Sequence, residues 1–301
     1  MSKRFIAAVD LGGTKIAAGI VGTDGTLVGT PVRVATNADK PTEIVINTIA
    51  GAALEAMRGG GMDPRELLGV GIGSPGPLDA VNGVIRTPRN LPSLHGVNLK
   101  RELESRLQAP VWINNDANVF ALGEAVFGAG KDSRIVFGIT LGTGFGSGLV
   151  IDKRIFNGAT TTAAEIWCFP YKDSIIEDYV SGRGLERTYE RCSGGVHADP
   201  KTIAERARSG ETAAREAWRS FGADAGIALS YVVNVVDPDI VVVGGSLANA
   251  FDLFAPHMDT ALRSHINPAP REHVRLVRAM LGDCAPLLGA AALVLEHEPS
   301  R

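Results

Sequence analysis

The 301-residue chain has only three cysteines, Cys168, Cys192 and Cys284, set far apart and without a Cys-x-x-Cys spacing. That argues against a disulfide framework or a contiguous zinc knuckle and points to a reducing compartment. It has no run of lysine or arginine, and its 30 basic and 33 acidic residues leave a formal charge of -3. Nothing here is built to grip a nucleic-acid backbone or an anionic membrane. No apolar run reaches about 18 residues, the span a membrane helix needs. Met1-Ser2-Lys3-Arg4 leads straight into a strand-like segment without the apolar core of a signal peptide, so a cytoplasmic protein is expected.

What is present is a 45% hydrophobic content, ample for a packed core, in a length near that of two domains of about 150 residues each. Residues 6–28, IAAVDLGGTKIAAGIVGTDGTLV, resemble residues 135–156, IVFGITLGTGFGSGLVIDKRIF. A shift of 130 places Asp10 over Thr140, Leu11 over Leu141, Gly12 over Gly142 and Ala18 over Gly148. Each segment reads strand, Gly/Thr turn, strand, so two related halves are predicted.

Between them the pattern predicts a helix over Thr42–Met57, a strand over Leu68–Gly73, a helix over Leu99–Leu107, a strand over Val111–Asn114 and a helix from about Asp116. Beyond residue 156 the chain reads as mostly helical to Val236. A strand follows at Ile240–Val243, and an alanine-rich helix over Pro286–Leu295 closes the chain. Strands alternating with helices argue for an α/β fold with parallel segments. The expected organisation is a small α/β domain over 1–116 and a larger one over 117–285, with 286–301 a candidate to cross back onto the first.

Asp10-Leu11-Gly12-Gly13-Thr14-Lys15 ends an apolar strand. Two glycines there would let backbone amides approach a phosphate, and the carboxylate would hold a hydrated Mg²⁺; a plain hairpin turn uses the same residues. Thr140-Leu141-Gly142-Thr143-Gly144-Phe145-Gly146 offers a second such turn without the acid, and two amide cradles with one metal-binding acid suit phosphoryl transfer. Asp116 in Asn115-Asp116-Ala117-Asn118 is either a helix N-cap or an ionised acid able to take a hydroxyl proton. Two other glycine patterns are set aside. Gly71-Ile72-Gly73-Ser74-Pro75-Gly76 spells a dinucleotide fingerprint, but its prolines predict an extended loop from Ser74 to Pro92 where the fingerprint needs a helix. Gly128-Ala129-Gly130-Lys131 lacks the flanking residues of a P-loop and reads as a helix stop.

Taken together, DLGGTK at 10–15, GIGSPGPLD at 71–79, RNLP at 89–92, NNDAN at 114–118, TLGTGFGSG at 140–148, AEI at 164–166, EDYVSGRGL at 177–185 and VVVGGS at 241–246 resemble the ROK family of sugar kinases, in order and over nearly the whole chain. The resemblance implies a two-domain actin-like ATPase (ribonuclease H-like) fold with a sugar bound in a cleft between the domains, ATP and Mg²⁺ as cofactors, and often a homodimer. It makes Asp116 the base toward a hexose hydroxyl, usually O6. It assigns Asn115, Glu165 and Glu177, with Asn90 and the Gly76 turn, to the other sugar hydroxyls. It gives phosphate and adenosine contacts to Asp10, Gly12, Gly13, Thr14, Lys15, Thr140, Gly142, Thr143, Gly144, Gly244, Gly245 and Ser246. Read without it, Glu165 and Glu177 are also plain surface acids at a loop and a helix start.

The chain departs from the family pattern at Glu165-Ile166-Trp167-Cys168-Phe169-Pro170. Cys168 stands where many members have a zinc-binding histidine, and the three-cysteine loop before Glu177 is missing, so no structural zinc is expected. Trp167, Cys168, Phe169 or Tyr171 then takes the place of that histidine, and Cys168 is expected as a small buried filler. An ATP-dependent glucokinase is the leading expectation, with mannose, fructose or an N-acetylhexosamine as other acceptors and polyphosphate as another donor. A sugar-responsive regulator would carry a helix-turn-helix ahead of the Asp10 motif, and only nine residues precede Asp10 here.

Overall fold

The apolar run at Ile6–Leu11 and its counterpart at Ile135–Leu141 become strands with the same place in two five-stranded sheets. The structure, a computed structural model, describes residues 4–61 and 63–298. Two units divide the chain. The first takes the residues up to Lys131, Gly148–Ala163 and those from Met280 onward; the second takes Asp132–Ser147 and Ala164–Ala279.

In the first unit, β1 (Phe5–Leu11), β2 (Lys15–Gly22) and β3 (Leu27–Ala35) are followed by α1 (Thr42–Gly59), β4 (Leu67–Ser74), α2 (Leu99–Leu107), β5 (Val111–Asn115) and α3 (Asp116–Val126). The sheet order is β3-β2-β1-β4-β5. β1 pairs antiparallel with β2 and parallel with β4, and β4 pairs parallel with β5. Both faces of β1 are covered, which is why Ile6-Ala7-Ala8-Val9 is apolar without alternation. Val9, Leu11, Ile16 and Ile72 share a core with Val45, Ile46 and Ile49 of α1. Residue 116, expected as the domain boundary, lies within this unit, because β5 pairs with β4 and α3 packs on the last helix.

In the second unit, β6 (Ile135–Leu141) leads to β7 (Phe145–Ile151), whose far end continues into the first unit's segment. Then come α4 (Gly182–Cys192), α5 (Pro200–Arg208), α6 (Thr212–Val236), β8 (Ile240–Gly244), α7 (Phe251–His265) and β9 (Arg275–Arg278). The sheet order is β7-β6-β8-β9, with the two-residue strand Arg154–Ile155 beyond β7. β6 and β8 pair in parallel, as β1 and β4 do, so the shift of 130 read in the sequence is a repeat of sheet topology. α6 and α7 approach closely at glycine: a methyl on Gly222 or Gly226 would come within 2.4 Å of Phe254 O or 2.3 Å of Met258 O. The stretch 157–175, expected as helical, is not. Left-handed backbone at Gly158, Thr161, Ala164 and Lys172, with Pro170 between, rules out a continuous helix, and the first helical turn is Ile176–Tyr179.

α8 (Ala285–Glu296) belongs to the first unit and packs on β1, β4 and α3. Its small residues permit near backbone contact. A methyl on Gly71 of β4 would lie 1.8 Å from Ala290 O, and one on Gly289 would lie 2.1 Å from Val119 O. The start of α8 is tied down by Glu124, a fully buried carboxylate of α3 that accepts from the amides of Ala129, Met280 and Leu281 at 2.8–3.0 Å. No helix among the described residues is long and apolar enough to cross a membrane.

At the end of α8, burial pushes the Glu296 carboxyl up from 4.5 to about 7, opposed by an Ile155 amide bond and the Arg154 charge. A folded pKa above the unfolded one means that this group's stabilisation is complete below about pH 4.5 and is lost as pH rises to 7. Glu296→Gln is expected to flatten that fall. The midpoint of thermal unfolding, followed from pH 5 to pH 8, checks it; parallel curves for wild type and variant would refute the assignment.

Candidate active site

β1, β4 and β5 end at one edge of the first sheet, with Asp10 opposite Gly73 and Ser74 opposite Asn115. In open parallel sheets the carboxyl ends of the strands are where ligands bind. Asp10 is partly buried; desolvation raises its pKa against the pull of the Lys15 charge. Among the described residues its carboxylate accepts no hydrogen bond, so its lone pairs suit a hydrated divalent cation.

The Gly12–Lys15 turn closes through a Gly12 amide to Lys15 carbonyl bond of 3.0 Å. Buried Thr36 braces it, donating from Oγ1 to Gly12 O at 2.6 Å and from its amide to Thr14 O at 3.0 Å. The amides of Gly13 and Thr14 make no bond among the described residues, which leaves donors for an anion. Gly13 must be glycine because Asn90 packs onto it; a methyl there would fall 2.6 Å from Asn90 Cβ. Gly76 is held against Asn115 in the same way, with the site of a Cβ 3.0 Å from Nδ2. The segment after Ser74 contains no helix up to a short turn at Pro92–Leu94, so the glycines at 71–76 do not open one.

At the β5–α3 junction the helix cap is Asn115, not Asp116. Asn115 has extended backbone (φ −59°, ψ 140°) and its Oδ1 accepts from Ala117 N at 2.9 Å, which places Asp116 already inside the first turn. The Asp116 side chain is exposed, with Oδ1 2.8 Å from the Ala117 amide. Beneath it, buried Asn114 accepts from Asn115 N at 2.7 Å and from Asn118 Nδ2 at 3.1 Å, and donates to Asn157 Oδ1 at 3.0 Å. Asn114, Asn118 and Asn157 were not singled out from sequence. The doubled asparagine at 114–115 is the one local signal that could have marked Asn114.

In the second unit, Thr140, next to the last residue of β6, lies opposite Gly244 of β8. The turn closes with a bond of 3.0 Å from Gly142 N to Gly144 O, and the Gly182 amide at the start of α4 donates to Gly142 O at 2.7 Å. Gly245, at φ 83°, passes so close to β6 that a methyl would meet Leu141 O at 2.3 Å. Gly142, Thr143, Gly182 and Ser246 open onto a cavity of about 610 Å³, whose wall carries Arg183, Lys201 and Arg208 together with Asp199, Glu186 and Glu205. That volume falls within the range of small-molecule sites. Sequence reading found the two glycine segments but not the α4–α5 wall, where charges on unrelated helices converge only in the fold.

Glu177 braces the same turn. Its Oε2 accepts from Phe145 N at 2.9 Å, and its Oε1 pairs with Arg183 at 3.1 Å. Glu165 Oε2 accepts from Trp167 Nε1 at 3.2 Å. Cys168, expected as a buried filler, is exposed. Ile166 and Tyr171 take the buried positions of this segment and leave Cys168, Phe169 and Pro170 facing out.

The sequence matches the ROK family over residues 6–297. The chain belongs to the ROK family. It is 31% identical to a glucokinase from Thermotoga maritima, covering 99% of both chains. It is 34% identical to an N-acetyl-D-glucosamine kinase from Vibrio cholerae, over 94% of this chain and 97% of that one. Among solved structures, a ROK family glucokinase from Streptomyces griseus in complex with glucose and AMPPNP matches with a TM-score of 0.79 at 31% identity, over 96% of this chain and 98% of that one. The fold is therefore the two-domain actin-like ATPase fold of ROK proteins.

The cap assignment separates two neighbours that share one turn. Asn115→Ala is expected to destabilise the protein by ~1 kcal/mol, the usual worth of a cap, and Asp116→Ala by less. Urea unfolding of both variants checks this, and equal losses would remove Asn115 from the cap.

Proposed function

We propose that this ROK sugar kinase transfers the γ-phosphate of ATP to a hexose hydroxyl, O6 of glucose first among them, with Asp116 as the general base. The observation that carries the reading is the division of labour at the β5–α3 junction. Asn115 caps the helix, and the Asp116 carboxylate stands exposed at the sheet edge that also carries Asp10. A carboxylate in the first turn of a helix is stabilised as the anion. It can take the proton from the hydroxyl as that oxygen bonds to the γ-phosphorus, while the bridging P–O bond breaks and ADP departs.

Each of the turns at 12–15 and 142–144 presents backbone amides suited to phosphate oxygens, and the cavity beside Gly142 and Ser246 takes the nucleoside part. A cavity of nucleoside size favours a nucleotide over polyphosphate as donor. Asp10 would hold a hydrated Mg²⁺, which when bound offsets the charge of the phosphates. Asn90, Asn115, Glu165 and Glu177, with the Gly76 turn, are assigned to the remaining sugar hydroxyls. A ring of such partners would select among epimers, since a buried donor or acceptor left unpaired is costly. Three free cysteines suit a reducing compartment, and we place the activity in the cytoplasm.

ADP release, coupled to an indicator reaction, should show one sugar in a panel of glucose, mannose, fructose, N-acetylglucosamine and N-acetylmannosamine turned over well ahead of the rest, with ATP preferred to polyphosphate. Asp116→Asn is expected to lower kcat by about 10²–10⁴, with the Kd for that sugar unchanged within a few-fold. Turnover that survives the substitution would reduce Asp116 to a structural role.

A further inference from the structure

Residues 165–177 carry Glu165 and Glu177 on one piece of chain with little regular structure, and beyond the bonds of Glu177 to Phe145 N and Arg183 its path must be fixed by contacts along it. The backbone bonds show that the piece is a hairpin. Glu177 N donates to Trp167 O and Ile176 N to Phe169 O, both at 3.0 Å, and Pro170–Tyr171 pairs antiparallel with Ser174–Ile175. Glu165, bonded to the Trp167 indole, and Glu177 thus lie on the two arms at the open end, and Lys172, in left-handed backbone at φ 53°, sits at the tip.

The tip is fastened to the middle of α6. Asp224, buried in that 25-residue helix, accepts with a single oxygen from Tyr171 Oη at 2.9 Å and from Lys172 Nζ at 2.7 Å. The Tyr171 ring is buried and meets Tyr179 edge-on at 5.4 Å, and the Lys172 ammonium lies 4.6 Å above the Tyr179 ring. A carboxylate in the interior of a helix does not serve the helix itself. It adds nothing as a cap and its desolvation is unfavourable unless hydrogen-bonded partners offset it. Here both partners come from the hairpin tip. Burial and the nearby Asp224 charge also raise the Tyr171 phenol above its usual pKa of 10, so it remains the donor of this bond.

We infer that Asp224 is a positioning residue for the sugar end of the reaction: its lock on Tyr171 and Lys172 sets the hairpin, and through it Glu165 and Glu177, at a distance from any reacting atom. The inference rests on the sugar-kinase reading only for the task it gives those two carboxylates. Releasing the tip frees a lever whose open end holds both acids, and small displacements of positioning groups weaken binding and rate steeply.

The test uses the full-length protein with Asp224→Asn, Lys172→Met and the conservative Lys172→Arg. Hydrogen exchange should speed up about tenfold or more at the Ile176, Glu177 and Phe145 amides in Asp224→Asn and Lys172→Met, with β6 and β8 amides unchanged. In steady-state kinetics the KM for sugar should rise about tenfold, with the KM for ATP within twofold, and Lys172→Arg should restore most of the loss. A merely structural role would lower the melting temperature and leave both KM values as they are, and that result overturns the inference. Unchanged exchange at the three amides overturns it too, whatever the activity. A wild-type protein that turns over no sugar counts against the function proposed above, while faster exchange at the hairpin in the variants still establishes the lock. Lys172 is exposed, so its variants keep the test open should Asp224→Asn fail to fold.

Discussion

Close approach of one backbone to another is the constraint on which the rest of the structure depends. The Gly12–Lys15 turn can lie under Asn90 only because Gly13 has no side chain, and Gly245 can pass Leu141 O only for the same reason. At Gly71 and Gly289 the same economy lets α8 come down onto β4 and α3. These contacts bring backbone amides to the ends of the strands and leave them there without side chains in front. A surface of that kind suits a polyanion, whose oxygens need several donors at short range and little bulk around them.

That constraint is also why so much of the fold can be read in the sequence. Gly12 and Gly142 stand 130 residues apart at the same place in two turns, and the two sheets repeat their order and strand direction around them. Strands with both faces covered show as unbroken apolar runs, so Ile240–Val243 and Val111–Asn114 lie within a residue of the observed strands. The stretch from 157 to 175 was misread because its shape comes from isolated left-handed residues and a two-residue hairpin, which leave no period in the pattern. The exposure of Cys168 could not be read for a related reason. Burial within an irregular segment is settled by which residues the tertiary contacts choose, here Ile166 and Tyr171.

The polar positions divide along the same line. Asp10, Asn115 and Asp116 stand next to strand ends or helix starts, where sequence alone places them. Asn114, Asn157 and Asp224 act across 43 and 53 residues of chain, and no local signal marks such pairings. Asn115 and Asp116 further show that adjacency in sequence is not equivalence in structure. One dihedral step separates the cap, with its extended backbone, from the first-turn residue, although both side chains accept from the Ala117 amide.

The acids also differ in their surroundings. Glu177 pairs with Arg183 and accepts from the Phe145 amide. Asp116 is exposed in the first turn of a helix, where its Oδ1 accepts from the Ala117 amide. Asp10 has neither; burial raises its pKa, and only the Lys15 charge opposes this. A divalent cation beside it would offset the desolvation that burial imposes, and the loss of the proton would in turn strengthen the hold on the cation. In the proposed site, metal binding would therefore be linked to the ionisation of one partly buried carboxylate, Asp10, while the acid proposed to take a proton from the sugar stands exposed in the first turn of its helix.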